Sequence, residues 1–328
     1  MGYSLRSAVI LKKDNYNTYK KTFFLLDFVH EIKRNRALYL LCLPGIAFFI
    51  IFAYIPMAGA GVSFMDFKAD MGIFRSPWVG FDNFKFLFSS DQTIRAVRNT
   101  LVLNSIFIFT GHFFAIAAAV FLNEIKSVFF KKITQNFIFL PYFVSWVVVS
   151  AFTVNLFASE GGLANNVLHI FGIIPVSWNE RADLWPFILT IFANWKAVGF
   201  LSIIYLAVIT GISPEYYEAS EIDGATKLQQ IVKITIPMLL PTITIMLLIS
   251  VGRIFFADFG MIYSLVGENS ALFSTTDVID TFVYRALRTL GDVGMSSATG
   301  LFQSVIGFIL VLGSNLIVRK FQKDNALY

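Results

Sequence analysis

The residues of this 328-residue chain that could do chemistry do not form a catalytic motif. No Gly-Lys pair occurs, so the G-x-x-x-x-G-K-[ST] loop that binds nucleotide phosphates is absent. His30, His112 and His169 lack the H-E-x-x-H spacing of a zinc hydrolase, and there is no G-x-S-x-G nucleophile elbow. Cys42 is the only cysteine, which excludes intrachain disulfides and cysteine-built metal sites. The sequence therefore predicts no enzyme and no metal or cofactor bound by this chain.

A second group of polar residues lies inside long apolar runs. Lys196 follows Asn194 and Trp195, and Arg253 and Asp258 lie among phenylalanines. Charge in such a run is costly and usually faces a cavity, water or a partner helix. On a continuous helix, residues five apart differ by about 140°, so Arg253 and Asp258 are expected on different faces. These residues indicate binding or helix packing.

The histidine inside the second apolar run has a simpler interpretation. We expect His112 to form a hydrogen bond between neighbouring helices.

The elements that carry these residues are predicted to lie in a membrane. Hydrophobic residues make up 56% of the chain and charged residues 14%, against about 25% charged in soluble domains. Most of this apolar surface must face lipid or other helices. The net charge of +5 is explained by basic residues that flank membrane spans, so it needs no nucleic acid partner.

Six apolar runs are long enough to cross a bilayer as helices, which takes about 20 residues each. The predicted spans are Leu38–Ser63, Thr100–Leu122, Thr134–Phe157, Leu184–Thr210, Met238–Tyr263 and Ser297–Ile317.

The distribution of Lys and Arg predicts that both termini are cytoplasmic. With that orientation the cytoplasmic segments carry 16 basic residues and the outer segments carry 8, as the positive-inside rule requires. The basic N-terminal region lacks the pattern of a cleaved signal peptide. Its segment Tyr19–Ile32 is either an amphipathic helix on the membrane surface or part of a solvated tail.

The longest polar interruption among the later spans is Tyr217–Pro237, in the cytoplasmic segment 211–237. Ser213 and Pro214 are typical of a helix start. Glu residues at spacing three then share one side of a short helix, and Asp223-Gly224 ends it. The Glu residues are Glu215, Glu218 and Glu221.

A second helix is predicted after the glycine, with Pro237 at the start of the next span. We expect its two faces to differ in burial. The packed face comprises Leu228, Ile231, Val232 and Thr235. The more exposed residues are Lys227, Gln230 and Lys233.

This stretch resembles the EAA loop of ABC importer permeases. The matching residues are Glu218, Ala219, Ser220, Gly224, Ile234, Ile236 and Pro237. Ser220 replaces the second alanine of the motif, and Ile236 replaces a leucine. The resemblance implies a coupling helix that fits a cleft on a cytoplasmic ATPase. The implied coupling residues are Glu218, Ala219, Ser220, Asp223, Gly224, Ile234 and Pro237.

Further segments resemble one branch of the sugar permeases, which imports complex oligosaccharides with lipoprotein-type binding proteins. They are Tyr54-Ile55-Pro56-Met57, Ser76-Pro77-Trp78-Val79-Gly80, Leu122-Asn123-Glu124, Glu160-Gly161-Gly162, Trp195-Lys196 and Asp277-Val278-Ile279-Asp280-Thr281.

The resemblance implies an all-α membrane protein with six transmembrane helices and the type I ABC importer permease fold. The predicted regions are a cytoplasmic basic segment 1–37, a first helix with its outer loop 38–95, a type 1 transmembrane domain 96–318 and a cytoplasmic tail 319–328.

The resemblance also implies a set of partners in the bacterial cell membrane. They are a second permease chain, two copies of an ATPase that binds ATP-Mg, and an extracellular solute-binding protein. A different second permease is favoured, although a homodimer remains open. Asn194, Trp195, Arg253, Phe256 and Asp258 are the candidate lining of the sugar path. The alternative for these residues is pairing between helices of the permease dimer.

Other functions remain open at this stage. Within importers the solute could be a simple disaccharide, glycerol phosphate or an oligopeptide. A secondary transporter driven by an ion gradient would need embedded ion sites, for which Asp258 and Lys196 are the available residues. A membrane receptor whose cytoplasmic loop binds a signalling partner is a third class.

Overall fold

A computed structural model of the chain describes residue 31 and residues 34–321. Apart from residue 31, the predicted amphipathic segment Tyr19–Ile32 therefore lies outside the described residues, as does most of the cytoplasmic tail. The chain divides by compactness between Gly61 and Val62 into two units. The domain boundaries expected from the sequence stay predictions.

Helices make up almost all of the described chain, and its only β-contact is an isolated antiparallel bridge between Met65 and Trp78. We number the helices in chain order. They are α1 (Arg36–Phe64), α2 (Asp82–Ser89), α3 (Asp91–Glu124), α4 (Val128–Phe143), α5 (Trp146–Leu156), α6 (Leu163–Ile170), α7 (Trp185–Thr210), α8 (Pro214–Ile222), α9 (Lys227–Gly252), α10 (Phe259–Val266), α11 (Phe273–Thr276), α12 (Ile279–Leu290) and α13 (Val293–Phe321).

Five of these helices are long and apolar enough to cross a membrane, and the bent pair α4–α5 gives a sixth crossing if it counts as one span. The all-helical, multi-span fold predicted from the sequence is confirmed. The first, second, fourth and sixth predicted spans are continuous helices, α1, α3, α7 and α13.

Helices α3 and α7 run side by side in the same direction and form the centre of the second unit. Near their starts, Leu103 of α3 shares a buried cluster with Ile188 and Leu189 of α7. Near their ends, Ala115 of α3 shares another with Tyr205 of α7. Both helices follow an outer segment, so a common direction agrees with the topology inferred from charge.

The third predicted span, Thr134–Phe157, is not one straight helix. The chain bends by 94° between α4 and α5. Pro141 lacks the N–H that would continue the helical hydrogen bonds, and Ser145 caps α5 by accepting a bond from the Val148 N–H at 3.4 Å. The bent pair is one crossing if it counts as a single span, and its bend lies beside Pro141, a residue type that can kink a membrane helix.

The fifth predicted span, Met238–Tyr263, is displaced. The continuous helix α9 covers Lys227–Gly252, and residues 253–258 form a break before α10. Arg253 is thus the residue after α9, and Asp258 caps α10 by accepting from the Met261 N–H at 3.0 Å. The expectation that both lie within one span helix was wrong, so the 140° argument does not apply.

A pair of glycines allows α9 and α13 to approach closely beside this break. A Cβ atom added to Gly307 would lie 2.6 Å from the carbonyl oxygen of Gly252, and one added to Gly252 would lie 2.3 Å from Cγ2 of Val311. Small residues that bring backbones together are typical of membrane helix packing. Here they hold the end of α9 in place.

We predict that Gly307→Ala lowers the thermal stability of the purified permease. The added methyl group must move a backbone, and such overpacking costs about 1–3 kcal/mol. The matched control is Gly313→Ala on the same helix, where no atom lies within 4 Å of the added carbon. Equal unfolding temperatures for the two variants in one detergent would contradict the proposed packing.

Candidate functional site

The polar stretch predicted to be a coupling device is a helix, a glycine turn and a second helix. The first helix, α8, begins at Pro214 after Ser213 as predicted, although Ser213 makes no side-chain capping bond. Gly224 has φ +77°, a conformation that residues with a side chain rarely adopt. The Ala225 N–H donates to the Ser220 carbonyl at 2.9 Å and closes the turn.

The predicted faces of the second helix were only partly right: Lys227 and Lys233 are exposed, as expected. Gln230, expected to be exposed, is buried, whereas Leu228 and Val232, expected to pack, are 70% and 58% exposed. Only Thr235 of the expected packed face is fully buried and Ile231 is half-buried. A hydrogen-bonded contact with α8 determines this orientation, and apolar periodicity does not record such a contact.

Gln230 is the centre of that contact. Its Nε2 donates to Ser220 Oγ at 2.8 Å and to the Tyr217 carbonyl at 3.2 Å. The Tyr217 hydroxyl adds a bond of 2.9 Å to Thr235 Oγ1. The serine that departs from the EAA consensus thus uses its hydroxyl to hold α8 against α9.

An ion pair supports the same junction. Lys227 Nζ lies 2.7 Å from Glu221 Oε1 and 3.0 Å from Gln230 Oε1. Hydrogen bonds from Lys227 and then Gln230 hold the pKa of the Glu221 carboxyl below its usual value. The pair is exposed, so we assign it an orienting role and little stability.

The other side of α8 is free of these contacts and faces outward. Glu218 and Ala219 are exposed, and Ile222 is 88% exposed. Asp223 and Pro237 are also exposed, while Ile234 and Ser220 are half-buried. We call the exposed residues Glu218, Ala219 and Ile222 the outward group. The residues that bond α8 to α9, Tyr217, Ser220 and Gln230, are the inward group.

Pro237 does not mark the start of a separate helix. It lies within the continuous helix α9, directly after a π-helical turn at Ile231–Thr235. The sequence analysis placed a boundary there because proline usually begins or ends a helix. The junction with α8 and the membrane span consequently belong to one continuous helix.

The predicted sugar-path residues Asn194 and Trp195 lie at an open cavity of about 1110 Å³ between α3, α4 and α7. Trp195 is 46% exposed. The Asn194 side chain is buried, and its Nδ2 donates to Thr110 Oγ1 at 2.9 Å. The Asn194 amide is therefore used in a hydrogen bond that connects α7 to α3.

A polar group lies where the bend between α4 and α5 meets the break at residues 253–258. It comprises Lys196, Trp146 and Asp258. Lys196 Nζ donates to the Val144 carbonyl at 2.6 Å and lies 4.3 Å from the centroid of the Trp146 ring. Trp146 Nε1 donates to Asp258 Oδ2 at 2.8 Å. Lys196, for which the sequence indicated binding or helix packing, thus satisfies the carbonyl at the bend.

Amide side chains missed by the sequence analysis hold the backbone of the second break. Asn104 Nδ2 donates to the carbonyls of Ile254 at 2.7 Å and Phe256 at 3.2 Å. Gln303 Nε2 donates to the Phe255 carbonyl at 2.6 Å. A lone amide inside an apolar run was the signal that could have identified each of them.

A carboxylate completes the arrangement at this break. Asp280 Oδ2 accepts from the Ala257 N–H at 2.9 Å and from Gln303 Nε2 at 3.4 Å. Burial raises the pKa of Asp280 above its ordinary value, although these donors oppose the shift. The sequence analysis used Asp280 only as part of a family resemblance.

The five predicted sugar-path residues are held by different parts of the fold. Asn194 and Trp195 line the cavity between α3, α4 and α7, whereas Phe256 and Asp258 belong to the second break. Arg253 is exposed at the end of α9. Their roles in transport stay predictions.

The hydrogen-bonded role predicted for His112 is confirmed by its geometry. Its Nδ1 lies 2.7 Å from the Tyr205 hydroxyl, and its Nε2 lies 3.1 Å from Ser250 Oγ. The histidine thereby connects α3 with both α7 and α9.

Comparison with known families agrees with this arrangement. A family model described as "Binding-protein-dependent transport system inner membrane component" matches residues 111–323. The chain belongs to this family. It is a multi-pass protein of the bacterial cell membrane, and it acts as a translocation component and not as an enzyme.

Characterised relatives cover almost the whole chain. It is 34% identical to Protein LplB of Bacillus subtilis (strain 168) over 299 residues, which cover 91% of this chain and 93% of that protein. It is 32% identical over 317 residues to the polygalacturonan/rhamnogalacturonan transport system permease protein YteP of the same organism, covering 97% and 95%.

A solved structure has the same fold. A bacterial alginate ABC transporter in complex with an alginate pentasaccharide-bound periplasmic protein contains a chain that matches with a TM-score of 0.80 and 35% identity. The match covers 89% of this permease and 97% of that chain. The type I importer permease fold inferred from the sequence is confirmed.

We predict a pH-dependent stability difference at the second break. Because the folded pKa of Asp280 is raised, its carboxyl stabilises the fold fully below its ordinary value of 3.8 and loses that contribution as pH rises through the folded value. Asp280→Asn stays neutral. Its unfolding temperature relative to wild type should therefore be higher at about pH 7.5 than at about pH 4.

Asp183→Asn provides a control of opposite sign. The hydrogen bond from Arg181 lowers the pKa of Asp183, so its stabilising contribution is present at neutral pH and is lost as the solution becomes acidic. The effect should be small because this pair is exposed. A shift of the same sign in both variants would refute the burial argument for Asp280.

Proposed function

We propose that this permease takes up oligosaccharides from outside the cell in an ABC importer, with its EAA-type loop coupling transport to ATP hydrolysis. The single observation that carries the proposal is α8, a helix fixed to a membrane span on one side and exposed on the other. The chain has no phosphate-binding loop of its own. ATP-Mg therefore binds to a separate ATPase, and this chain needs no cofactor.

The outward group on α8 is the proposed contact with that ATPase. Glu218, Ala219 and Ile222 project from the side that no described helix covers. A recess of about 330 Å³ beside Gly224, Gln230 and Lys233 is large enough to take side chains of a partner. Ile222 provides apolar surface that the ATPase can bury, and the charge of Glu218 orients the ATPase on α8.

The inward group transmits the movement. Gln230 and Tyr217 connect α8 to α9 by side-chain hydrogen bonds. Since α9 is continuous from Lys227 to Gly252, about 39 Å at 1.5 Å per residue, displacement of α8 rotates or shifts a whole span. The break at residues 253–258 lies at the far end, where such a shift can open or close the path.

Because each permease has one coupling helix, the number of permeases in the proposed importer follows from the number of ATPases. Two ATPases close on ATP in the proposed importer, so a second permease provides the second coupling helix, and a different chain is favoured. A lipoprotein-type binding protein outside the cell delivers the substrate. YteP and the alginate transporter support oligosaccharides or polysaccharides as the solute class.

The experiment that tests this function is uptake into proteoliposomes that contain the full transporter and its binding protein. Labelled oligosaccharide should accumulate only with ATP on the ATPase side. Uptake that follows an ion gradient and ignores ATP would instead establish a secondary transporter. Absence of any carbohydrate uptake, with the binding protein loaded, would reject the proposal.

Gly224→Val should uncouple the importer. A branched residue is strained at φ +77° and would distort the turn that positions α8. We expect ATP hydrolysis to continue while uptake falls about tenfold or more, because the contact that converts closure into span movement is lost. Glu218→Lys should act in the same direction by reversing a charge on the outward face. Normal uptake by both variants would disprove the coupling role.

Gln230→Leu tests the inward group separately. It removes the bonds to Ser220 and Tyr217, which leaves polar groups unpaired at a cost of about 1–3 kcal/mol. We expect the ATPase to stay bound but uptake per ATP hydrolysed to fall. The neighbouring Gln229→Glu is the matched control, because glutamate keeps the capping bond that Gln229 makes with Thr226. Equal transport by both variants would contradict force transmission through Gln230.

A further inference from the structure

A second cavity lies at the opposite end of the permease from α8. It has a volume of about 750 Å³ and lies among α2, the start of α3, α11, α12 and the start of α13. These elements belong to segments that the topology places outside the cell. The volume falls within the range of about 300–1,000 Å³ typical of small-molecule sites.

The half-buried side chain of Arg95 lines this cavity. No carboxylate of the described chain lies within ion-pair distance of Arg95. Its Nε atom is enclosed by the protein without a hydrogen-bond partner among the described residues, so a ligand would meet the terminal Nη groups. A cationic side chain that lines a cavity without an ion pair suits an anionic acceptor that the chain does not supply.

The other arginine of the cavity is already neutralised. Arg285 Nη2 lies 2.7 Å from both carboxylate oxygens of Asp277, and its guanidinium lies 4.2 Å from the centroid of the Phe273 ring. Asp277 also accepts from Thr281 Oγ1 at 3.2 Å. Because the Asp277 carboxylate is paired with Arg285, it does not compensate the positive charge of Arg95 within the cavity.

The rest of the lining fits a sugar better than a lone ion. Gln92 and Thr289 provide hydrogen-bonding groups, and Phe86 and Phe282 provide aromatic surface. Carbohydrate has both polar edges and apolar ring faces, so it can use both kinds of contact. An acidic sugar would add the carboxylate that Arg95 lacks, and arginine matches a carboxylate with two parallel N–H donors.

We propose that this outer cavity binds an acidic sugar unit of the transported oligosaccharide, with Arg95 as the ligand of its carboxylate. The inference rests on the proposed function and specifies its substrate class: oligosaccharides that carry uronate groups. The cavity selects the charged sugar on the outer side, before the substrate passes between the spans.

The test is equilibrium binding to the full transporter in nanodiscs without its binding protein. The probes are digalacturonate and its dimethyl ester, which keeps the rings but removes both charges. We expect the acid to bind about tenfold more tightly than the ester, and Arg95→Gln to abolish that difference. Arg95→Lys should retain part of it, because the charge stays while the two parallel donors are lost.

Arg75→Gln is the matched control, since Arg75 is exposed on the same side and does not line the cavity. It should leave the preference unchanged. Equal affinity for acid and ester in the wild type, or an Arg95→Gln variant that keeps the preference, would overturn the proposal. A bound phospholipid that Arg95→Gln releases, without any binding of digalacturonate, would overturn it in favour of a lipid headgroup site.

Uptake measurements separate this inference from the function on which it rests. If the transporter imports acidic and neutral oligosaccharides with ATP but Arg95→Gln leaves their ratio unchanged, only the acidic-sugar site is rejected. If no oligosaccharide is imported, the proposed function itself fails.

Discussion

The structure depends on one constraint: backbone polar groups among apolar helices must find hydrogen-bond partners within the protein, because lipid offers none. Two spans are interrupted, and each interruption exposes carbonyl and N–H groups. Lys196 serves the carbonyl at the first bend, while Asn104, Gln303 and Asp280 serve the second break. The costly polar residues of the apolar runs are thus used to stabilise irregular backbone. A break stabilised in this way can persist as a defined hinge.

The two breaks are connected to each other. Trp146 begins the helix after the first bend, and it donates to Asp258, which caps the helix after the second. Met261 of α10 and Val149 of α5 share one buried cluster. The segments beyond the two breaks therefore pack together around one buried cluster.

The junction between α8 and α9 shows the opposite arrangement, a continuous helix. The helix α9 has no interruption between the junction with α8 and the break near Arg253. Gln230 holds α8 to α9 on the inside, and Ile222 remains available outside. A continuous helix thus joins the contact with α8 to the irregular backbone at the break, which is the arrangement that the proposed coupling requires.

The sequence by itself determined the membrane class, four of the spans, the orientation and the helix–glycine–helix stretch, because composition, hydrophobic length and Gly224 act locally. Tertiary structure decided the bend after Pro141, the displaced fifth span and the burial of Gln230. The displaced fifth span and the burial of Gln230 depend on hydrogen bonds to residues distant in sequence or on another helix, which periodicity cannot record. The bend combines the local effect of Pro141 with the distant bond from Lys196. The sequence also could not predict that Arg95 lacks an ion pair, since only the folded chain shows that Asp277 pairs with Arg285.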